Sequence, residues 1–493
     1  MKYIATAESM KKIDEYTIKK TGIPDAVLME RAALSVVSEI QKRTNGNEKI
    51  LVVCGTGNNG ADGMCCGRIL QERGYSVEIV ILGNHDKFTA LAKLHRNILG
   101  NLGIEIINNV EVKEYDIIVD SIFGIGLSKE VTGIFADNIS KINNIKNKYG
   151  AKVYAVDIPS GISSNTGKTL GIAVEADYTV TFGLLKNGIV FEPGRYYAGK
   201  IIVADIGFTR EAYLDNEDIC FTYDIEDLPD ILPKRKKDSN KGSYGKVLVV
   251  AGSKNMAGAA ILSAKAAIRS GAGLVKVLTC ECNRNIIQTS VPEALISTYE
   301  ENDDLEMLVK SEILWADVVI VGPGLSMSEK ARKIVGIICD NITTTLILDA
   351  DALNIIADEN KVIPVGAIIT PHLKEMSRLI NKPVSDIKEN KIEVAREYAR
   401  TNNIVVILKD SKTVASNGEK VYINSSGNNG MATGGSGDVL TGIIGAYLAQ
   451  TDSIFDFCCA GVFVHGRAAD IFVEKYNPYA LTPTDIIENL KNI

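Results

Sequence analysis

Short runs of β-branched and aliphatic residues, separated by segments of helical spacing, recur along almost the whole chain and limit its fold more than any other feature. KILVVC (49–54), SVEIVIL (76–82), DIIVD (116–120) and KVYAVDI (152–158) are almost wholly apolar, as strands buried on both faces must be. YTVTFG (178–183) and GKIIVADIG (199–207) continue the series. Helical patterns between most of them imply βαβ units and a mainly parallel sheet. Over 222–241 the pattern breaks into a charged stretch with two prolines, YDIEDLPDILPKRKKDSNK. A second series follows: KVLVVAG (246–252), the small-residue helix AGAAILSAKAAIRSG (257–271), LVKVLT (274–279), DVVIVG (317–322), TLILDA (345–350), GAIIT (366–370) and NIVVILK (403–409). Two α/β domains are therefore expected, 1–221 and 222–493, with the basic run Lys234–Lys237 as a solvated linker face. At the N-terminus, Met10, Ile13, Thr17 and Ile18 fall at helical spacing, and Leu28, Ala32, Leu34 and Val36 suggest a second amphipathic helix.

Composition narrows the function classes. Apolar residues make up 46% and charged residues 23%, which excludes a disordered chain. A net charge of −7 argues against nucleic acid or an acidic membrane surface as partner. Charges run through the first forty residues, and no apolar run approaches the ~18 residues of a membrane span, so neither a signal peptide nor a transmembrane helix is expected. Nine cysteines, an odd number with no CxxC spacing, read as reduced, buried thiols in a cytoplasmic protein.

Chemistry concentrates in the Gly-rich loops. In GNNGMATGGSGDVLTG (427–442), glycines allow backbone N–H groups to turn toward a bound anion, and the helix that follows adds partial positive charge. Asp438 is electrostatically wrong for phosphate binding alone. It is either a helix cap or a base facing a hydroxyl while phosphate approaches from the other side. In GTGNNGADG (55–63), Gly55, Gly57 and Gly60 match a dinucleotide fingerprint between strand and helix, the mark of an NAD-dependent oxidoreductase. Against that, the acidic residue expected at the end of the next strand is missing, and Asp62 would face a pyrophosphate. Asn58, Asn59 and Asp62 suit a cation and hydroxyls better. The loops DSIFGIG (120–126) and AVDIPSGISSNTG (155–167) end neighbouring strands, so Asn59, Asp120, Asp157 and Ser160 can converge. Oxygen ligands of low total charge suit a hard cation, and an alkali ion would be tolerated.

GTGNNGADG, DSIFGIG and DIPSGISSNTG, with GIP and LMERAA at 22–33, resemble the NAD(P)H-hydrate epimerase domain, which implies a Rossmann-like three-layer α/β/α sandwich. By that resemblance, Asn59, Asp120 and Ser160 would hold a potassium ion. Asn58, Asn59, Gly60, Ala61 and Asp62, the loop Gly124, Ile125, Gly126, Leu127, Ser128, Lys129 and Glu130, and Asp157 would contact the hydrate. The family usually has Gly-Gly-Asp where this chain has Gly60-Ala61-Asp62. The substrate carbon is a hemiaminal centre, so inverting it requires an acid/base that gives and takes one proton; Asp157 is assigned that role.

KGSYGKVLVVAGSKNMAGAA (241–260), VGPGLS (321–326), LDADALN (349–354), TPHLKEM (370–376), LKDSKT (408–413) and the 427–442 loop resemble the ADP/ATP-dependent NAD(P)H-hydrate dehydratases, members of the ribokinase-like superfamily. The resemblance implies a hydrate site of Ala259, Gly324, His372 and Asp438. A nucleotide site of Lys409, Asp410, Ser411, Lys412, Thr413 and Gly437 goes with it, with magnesium for charge neutralisation. Asp438 would be the base, and Asp349 and Asp351 helix caps outside the site. The family commonly shows Lys-Gly-x-x-Thr where this chain has Lys409-Asp410-Ser411-Lys412-Thr413, and its histidine before KGSYG is Asn240 here. The implied protein is a bifunctional repair enzyme. It epimerises the R and S hydrates of NADH and NADPH (NADHX and NADPHX) and dehydrates the S form at the expense of ADP. The alternatives are a ribokinase-class small-molecule kinase fused to a dinucleotide-binding module, and a dinucleotide sensor with one inactive half. The small-residue helix at 257–271 suggests packing between copies in a homo-oligomer.

Overall fold

The computed structural model describes residues 1–493 except 215, 217, 236 and 452, so Lys236 of the basic run lies outside the described residues. Two compact units divide the chain: Lys2–Cys220, and Phe221–Ile493 together with Met1.

The first unit carries a seven-stranded sheet in the order Ile106–Ile107, Ser76–Ile81, Lys49–Cys54, Ile117–Ser121, Lys152–Val156, Tyr178–Phe182, Lys200–Ala204, all neighbours parallel. Both faces are covered, which is why the strands read as unbroken apolar runs. In the central strand, Ile50, Val52 and Cys54 join a core with the helices Asp25–Gln41, Asn58–Glu72 and Ala90–Asn101, while Leu51 and Val53 face the helix Gly133–Tyr149. This is a three-layer α/β/α sandwich. The order in which successive strands are added reverses between the parallel neighbours Lys49–Cys54 and Ile117–Ser121, the switch point beyond which ligands lie in such sheets. In the helix Asp25–Gln41, Leu28, Ala32 and Val36 are buried, but Leu34 is exposed, two residues off the i, i+4, i+8 stripe.

In the second unit the parallel order is Leu295–Tyr299, Leu274–Cys280, Lys246–Val250, Val318–Val321, Thr345–Leu348, Ile368–Ile369, Val405–Leu408. Val414–Ser416 and Val421–Ile423 extend it as antiparallel strands, and Cys220–Thr222 pairs parallel to Val421–Ile423. The segment read as a linker is in part structural: Leu228, Ile231 and Leu232 pack on this unit's core, and Arg235 stacks 4.2 Å from the Tyr244 ring.

The small-residue helix, Ala257–Arg269, spends its small face inside the unit. A Cβ on Gly442 of the helix Ser436–Leu448 would lie 2.3 Å from the Ser263 carbonyl, so the two helices meet nearly backbone to backbone. The packing face suggested for a second copy is thus occupied within the chain. The thiols also depart from expectation. Six cysteines are buried, Cys280 and Cys339 are half-buried, and Cys282 is exposed. Among the described residues no helix is long and apolar enough to cross a membrane.

Candidate active sites

A cavity of about 740 Å³ opens at the switch point of the first unit. Asn58, Asn59 and Asp62 line it from the start of the helix Asn58–Glu72, and Gly124–Lys129 from the loop after Ile117–Ser121. Gly55 and Gly60 are dictated by packing: a Cβ on Gly60 would lie 1.9 Å from the Gly55 carbonyl, and one on Gly55 2.1 Å from that of Ile122. Gly60 and Ala61 face this packed interior and do not line the cavity. Ala61 is fully buried in the core, so its methyl group does not stand where a substrate ring would approach. Glu130 also lies outside the lining.

Asp157 reaches the cavity with φ +68°, a left-handed conformation that a non-glycine residue adopts at a cost and that clusters at functional sites. Its Oδ1 accepts hydrogen bonds from Lys186 Nζ (2.6 Å), Thr181 Oγ1 (3.0 Å) and the Phe182 amide (3.1 Å). Lys186 is 1% exposed and also donates to the Phe182 carbonyl. Around this pair stand two more carboxyls. Burial, and then the Asp157 and Asp14 charges, push Asp62 well above the usual carboxylate range. Burial also raises Asp14, from the helix Ala7–Tyr16, to about 6, with Lys186 opposing. Two carboxyls raised by burial beside the Asp157–Lys186 ion pair suit general acid/base work. Sequence reasoning did not find Lys186 or Asp14. The strand-end position of FGLLK after Tyr178–Phe182 was the available signal for Lys186.

Asp120 and Ser160 meet beside the same loops. Asp120 is fully buried; its Oδ1 accepts from Ser160 Oγ (2.6 Å) and its Oδ2 from the Ser160 amide (2.8 Å). Its partners are neutral, and burial raises it to about 6. The Asn59 side chain lies against Gly124, where a Cβ would approach its Cγ to 3.2 Å, and its buried Nδ2 has no hydrogen-bond partner among the described residues. A buried carboxylate with neutral partners fits a monovalent cation, whereas the Asn59 amide N–H calls for an acceptor such as a substrate oxygen.

In the second unit the helix Ser436–Leu448 begins at Gly435 (φ +96°), and the first amides of a helix have no partner within it. Asp438 is not the cap but the third residue of the helix. No side chain or amide among the described residues hydrogen-bonds its carboxyl, which is raised to about 7 by burial and then by the Asp349 charge, with Lys409 opposing. Lys409 Nζ bonds Asp349 Oδ1 at 2.6 Å, and a Cβ on Gly437 would lie 3.2 Å from that ammonium. Asp349 makes no cap bond, so it belongs to this charge cluster and not to the helix start. Asp351 is likewise engaged, accepting from the Ser326 amide at 2.7 Å. The front of the glycine loop is anchored instead to a neighbouring helix, where the Gly427 amide and Asn428 side chain are tied to Asp470.

His372 is the N-cap of Leu373–Ile380; its Nδ1 accepts from the Lys374 and Glu375 amides, and burial and Lys409 lower its pKa. A parallel bridge to Lys409 holds it beside the ion pair. Ala259 and Gly324 abut, since a Cβ on Gly324 would lie 2.9 Å from that of Ala259. Asp410 pairs with Lys391 (2.8 Å), while Lys412 donates to the Ser425 carbonyl. Asn240 caps a short turn at 241–244. His465, which the sequence did not single out, is buried and neutral, lowered to about 4, with Nε2 3.4 Å from Ser436 Oγ. Among the described residues no group of three or more His, Cys, Asp or Glu side chains forms a metal cage.

Two α/β units, one with an acid/base cavity at its switch point and one with a carboxyl on a Gly-capped helix beside a half-buried lysine, define a two-site enzyme. Residues 247–492 match the family described as NAD(P)H-hydrate dehydratase, and 25–188 the one described as YjeF-related protein N-terminus. The chain is 34% identical to the bifunctional NAD(P)H-hydrate repair enzyme of Thermofilum pendens, over 99% of this chain and 95% of that one. It is 33% identical to the enzyme of that name from Moorella thermoacetica, over 99% and 96%. Among solved structures, a ribokinase-like superfamily protein from Enterococcus faecalis V583 superimposes with a TM-score of 0.51 at 28% identity, covering 55% of this chain and 94% of that one. The chain belongs to the family of bifunctional NAD(P)H-hydrate repair enzymes, with an epimerase half and a ribokinase-like dehydratase half. Neither the kinase reading nor the sensor reading is favoured.

Proposed function

We propose that the cavity of the first unit interconverts the R and S hydrates of NADH and NADPH, and that the second unit dehydrates the S form while converting ADP to AMP and phosphate. The domains would be 1–221 for epimerisation and 222–493 for dehydration. The observation that carries the reading is Asp438: an unbonded carboxyl held near neutrality at a helix N-terminus, one turn from amides suited to phosphate.

Asp438 takes the proton of the hydrate hydroxyl. The oxygen then attacks the terminal phosphorus of ADP, and the bond to AMP breaks. The backbone of Gly434–Gly437 and the Lys409 ammonium stabilise the charge on the transferred group. The C–O bond then breaks with its electron pair on the departing phosphate as the neighbouring carbon gives a proton to solvent, restoring the dihydronicotinamide ring. Ala259, Gly324 and His372 would line the hydrate site. Lys409, Ser411, Lys412, Thr413 and Gly437 would contact the nucleotide, with Asp410 neutralised by Lys391. Magnesium would arrive on the nucleotide phosphates.

In the first unit Asp157 gives and takes the hydroxyl proton while Lys186 fixes its orientation. Asn58, Asn59, Asp62 and Gly124–Lys129 would hold the substrate. Asn59, Asp120 and Ser160 would hold potassium, which when bound supplies positive charge that orients substrate oxygens. Six buried thiols suit the cytoplasm.

Mixed hydrates supplied with ADP and magnesium should regain reduced-nicotinamide absorbance, with AMP and phosphate released together. A stable phosphorylated product without that recovery would overturn the reading in favour of a kinase.

A further inference from the structure

The strand Leu274–Cys280 ends beside the dehydratase site in an arrangement that reaction does not use. Cys280 and Cys282 flank a single residue, Glu281, and their sulfurs lie 2.7 Å apart. Cys282 is exposed and Cys280 half-buried, the only cysteines among the described residues paired in this way. We propose that Cys280 and Cys282 form a reversible disulfide by exchange with low-molecular-weight disulfides, and that this bridge restrains the loop feeding the dehydratase site.

Accessibility sets the order of events. The Cys282 thiolate attacks one sulfur of the small disulfide and expels a thiolate, giving a mixed disulfide at the surface. The Cys280 sulfur, having lost its proton to solvent, then attacks Cys282 Sγ and expels the second small thiol. Two protein thiols are oxidised, one small disulfide is reduced to two thiols, and nothing else is consumed. Burial and the neighbouring thiol raise Cys280 to about 11, so little of it is thiolate and it does not attack the small disulfide first; its own step proceeds because it is intramolecular. A bridge across one residue closes a small, strained ring, which thiols reopen readily.

The link to the site runs through Asn283. Its Oδ1 accepts from the Cys282 thiol (3.8 Å), and its Nδ2 donates to the Ser253 carbonyl (3.2 Å) and to Thr279 Oγ1 (3.1 Å). Thr279 in turn donates to the Gly252 carbonyl (3.1 Å). There is no slack: a Cβ on Gly252 would lie within 3.2 Å of Thr279, Ala260 and Asn283 together. The Gly252–Ser253 segment leads into the helix Ala257–Arg269, which carries Ala259 against Gly324. Oxidation removes the thiol donor to Asn283 and draws the turn inward, shifting this segment.

The bridge itself is independent of the function proposed above; its effect on turnover rests on that reading. The intact protein is incubated with oxidised glutathione, and the peptide spanning 280–282 is examined by mass after alkylation. The expected result is loss of two hydrogens with no alkylation, reversed by dithiothreitol. Cys280→Ser should instead retain glutathione on Cys282, and Cys282→Ser should stay fully alkylatable at Cys280. Two alkylated thiols in the treated wild type, or a lasting glutathione adduct, would overturn the bridge. Dehydration should fall on the order of threefold to tenfold in kcat/KM on oxidation, while epimerisation holds and Cys282→Ser is insensitive. A bridge that forms with turnover unchanged would overturn the restraint. Absence of dehydration in the reduced wild type would count against the functional reading instead, leaving the mass result to decide the bridge.

Discussion

The two assigned bases, Asp157 and Asp438, stand in opposite environments. Asp157 is wired at one oxygen to an ammonium, a hydroxyl and an amide, whereas the Asp438 carboxyl receives no hydrogen bond among the described residues and is raised to about 7 by burial and a neighbouring carboxylate. A group that must both give and take one proton gains from a fixed orientation and a charged partner. A group that must only take one, next to phosphate, gains from being poorly solvated and near its own pKa. The contrast is one of wiring, and each variant below is chosen to cut or shift one wire.

The largest effect belongs to the bases themselves. Asp438→Asn should lower ADP-dependent dehydration by about 10²–10⁴-fold while R/S interconversion continues, and Asp157→Asn should do the reverse. Chromatographic separation of the epimers alongside absorbance recovery reads both; a variant that damages both activities equally would break the division of labour. Lys186→Met should combine loss of epimerisation with a fall in stability of about 3–5 kcal/mol, because a buried carboxylate loses its partner; thermal melting measures it.

Next comes the pH profile. Asp438 acts deprotonated, so kcat/KM for dehydration should be full above pH 7 and fall about tenfold per unit below it. Asp349 raises Asp438 and Lys409 lowers it, so Asp349→Asn should move the acid limb to lower pH and Lys409→Met to higher. A limb that stays put in both variants would assign it to another group.

These wires also mark what could be read in advance. The strand alternation and the glycine loops were legible because parallel strands need apolar runs and close approaches need glycine. Asp349 looked like a helix cap because Asp before a helical pattern commonly is one, and only the pairing of distant strands brings it to Lys409. Lys186 and Asp14 carried no motif. Their roles come from packing a helix and a strand end around one cavity. The Cys280–Cys282 pair escaped because it follows neither the CxxC spacing nor the burial of the other thiols.

A smaller effect is expected at the cation site. Potassium at ten times its dissociation constant should stabilise the wild type by about 1.4 kcal/mol, and Asp120→Asn should abolish that gain. In potassium-free buffer the same variant should melt no earlier than the wild type, since it removes a buried charge whose partners are neutral. An equal potassium response in both proteins would place the ion elsewhere. Epimerisation should follow the potassium response and dehydration should not.

The smallest effect is expected where this chain departs most visibly from its family, at Asp410. A carboxylate in a phosphate loop should weaken nucleotide binding, yet this one is 2.8 Å from Lys391 and mostly buried, so the approaching nucleotide meets a neutralised pair. Asp410→Gly removes the carboxylate but leaves the Lys391 charge, which then adds attraction for phosphate at partly screened range. KM for ADP should therefore fall, by no more than about threefold, and the fall should shrink as salt rises. A tenfold or greater fall would mean that Asp410 faces the nucleotide directly. A rise in KM would mean that the Lys391 pair holds the loop in its binding shape, which would make the Lys-Asp-x-x-Thr loop a structural alternative to the family's glycine.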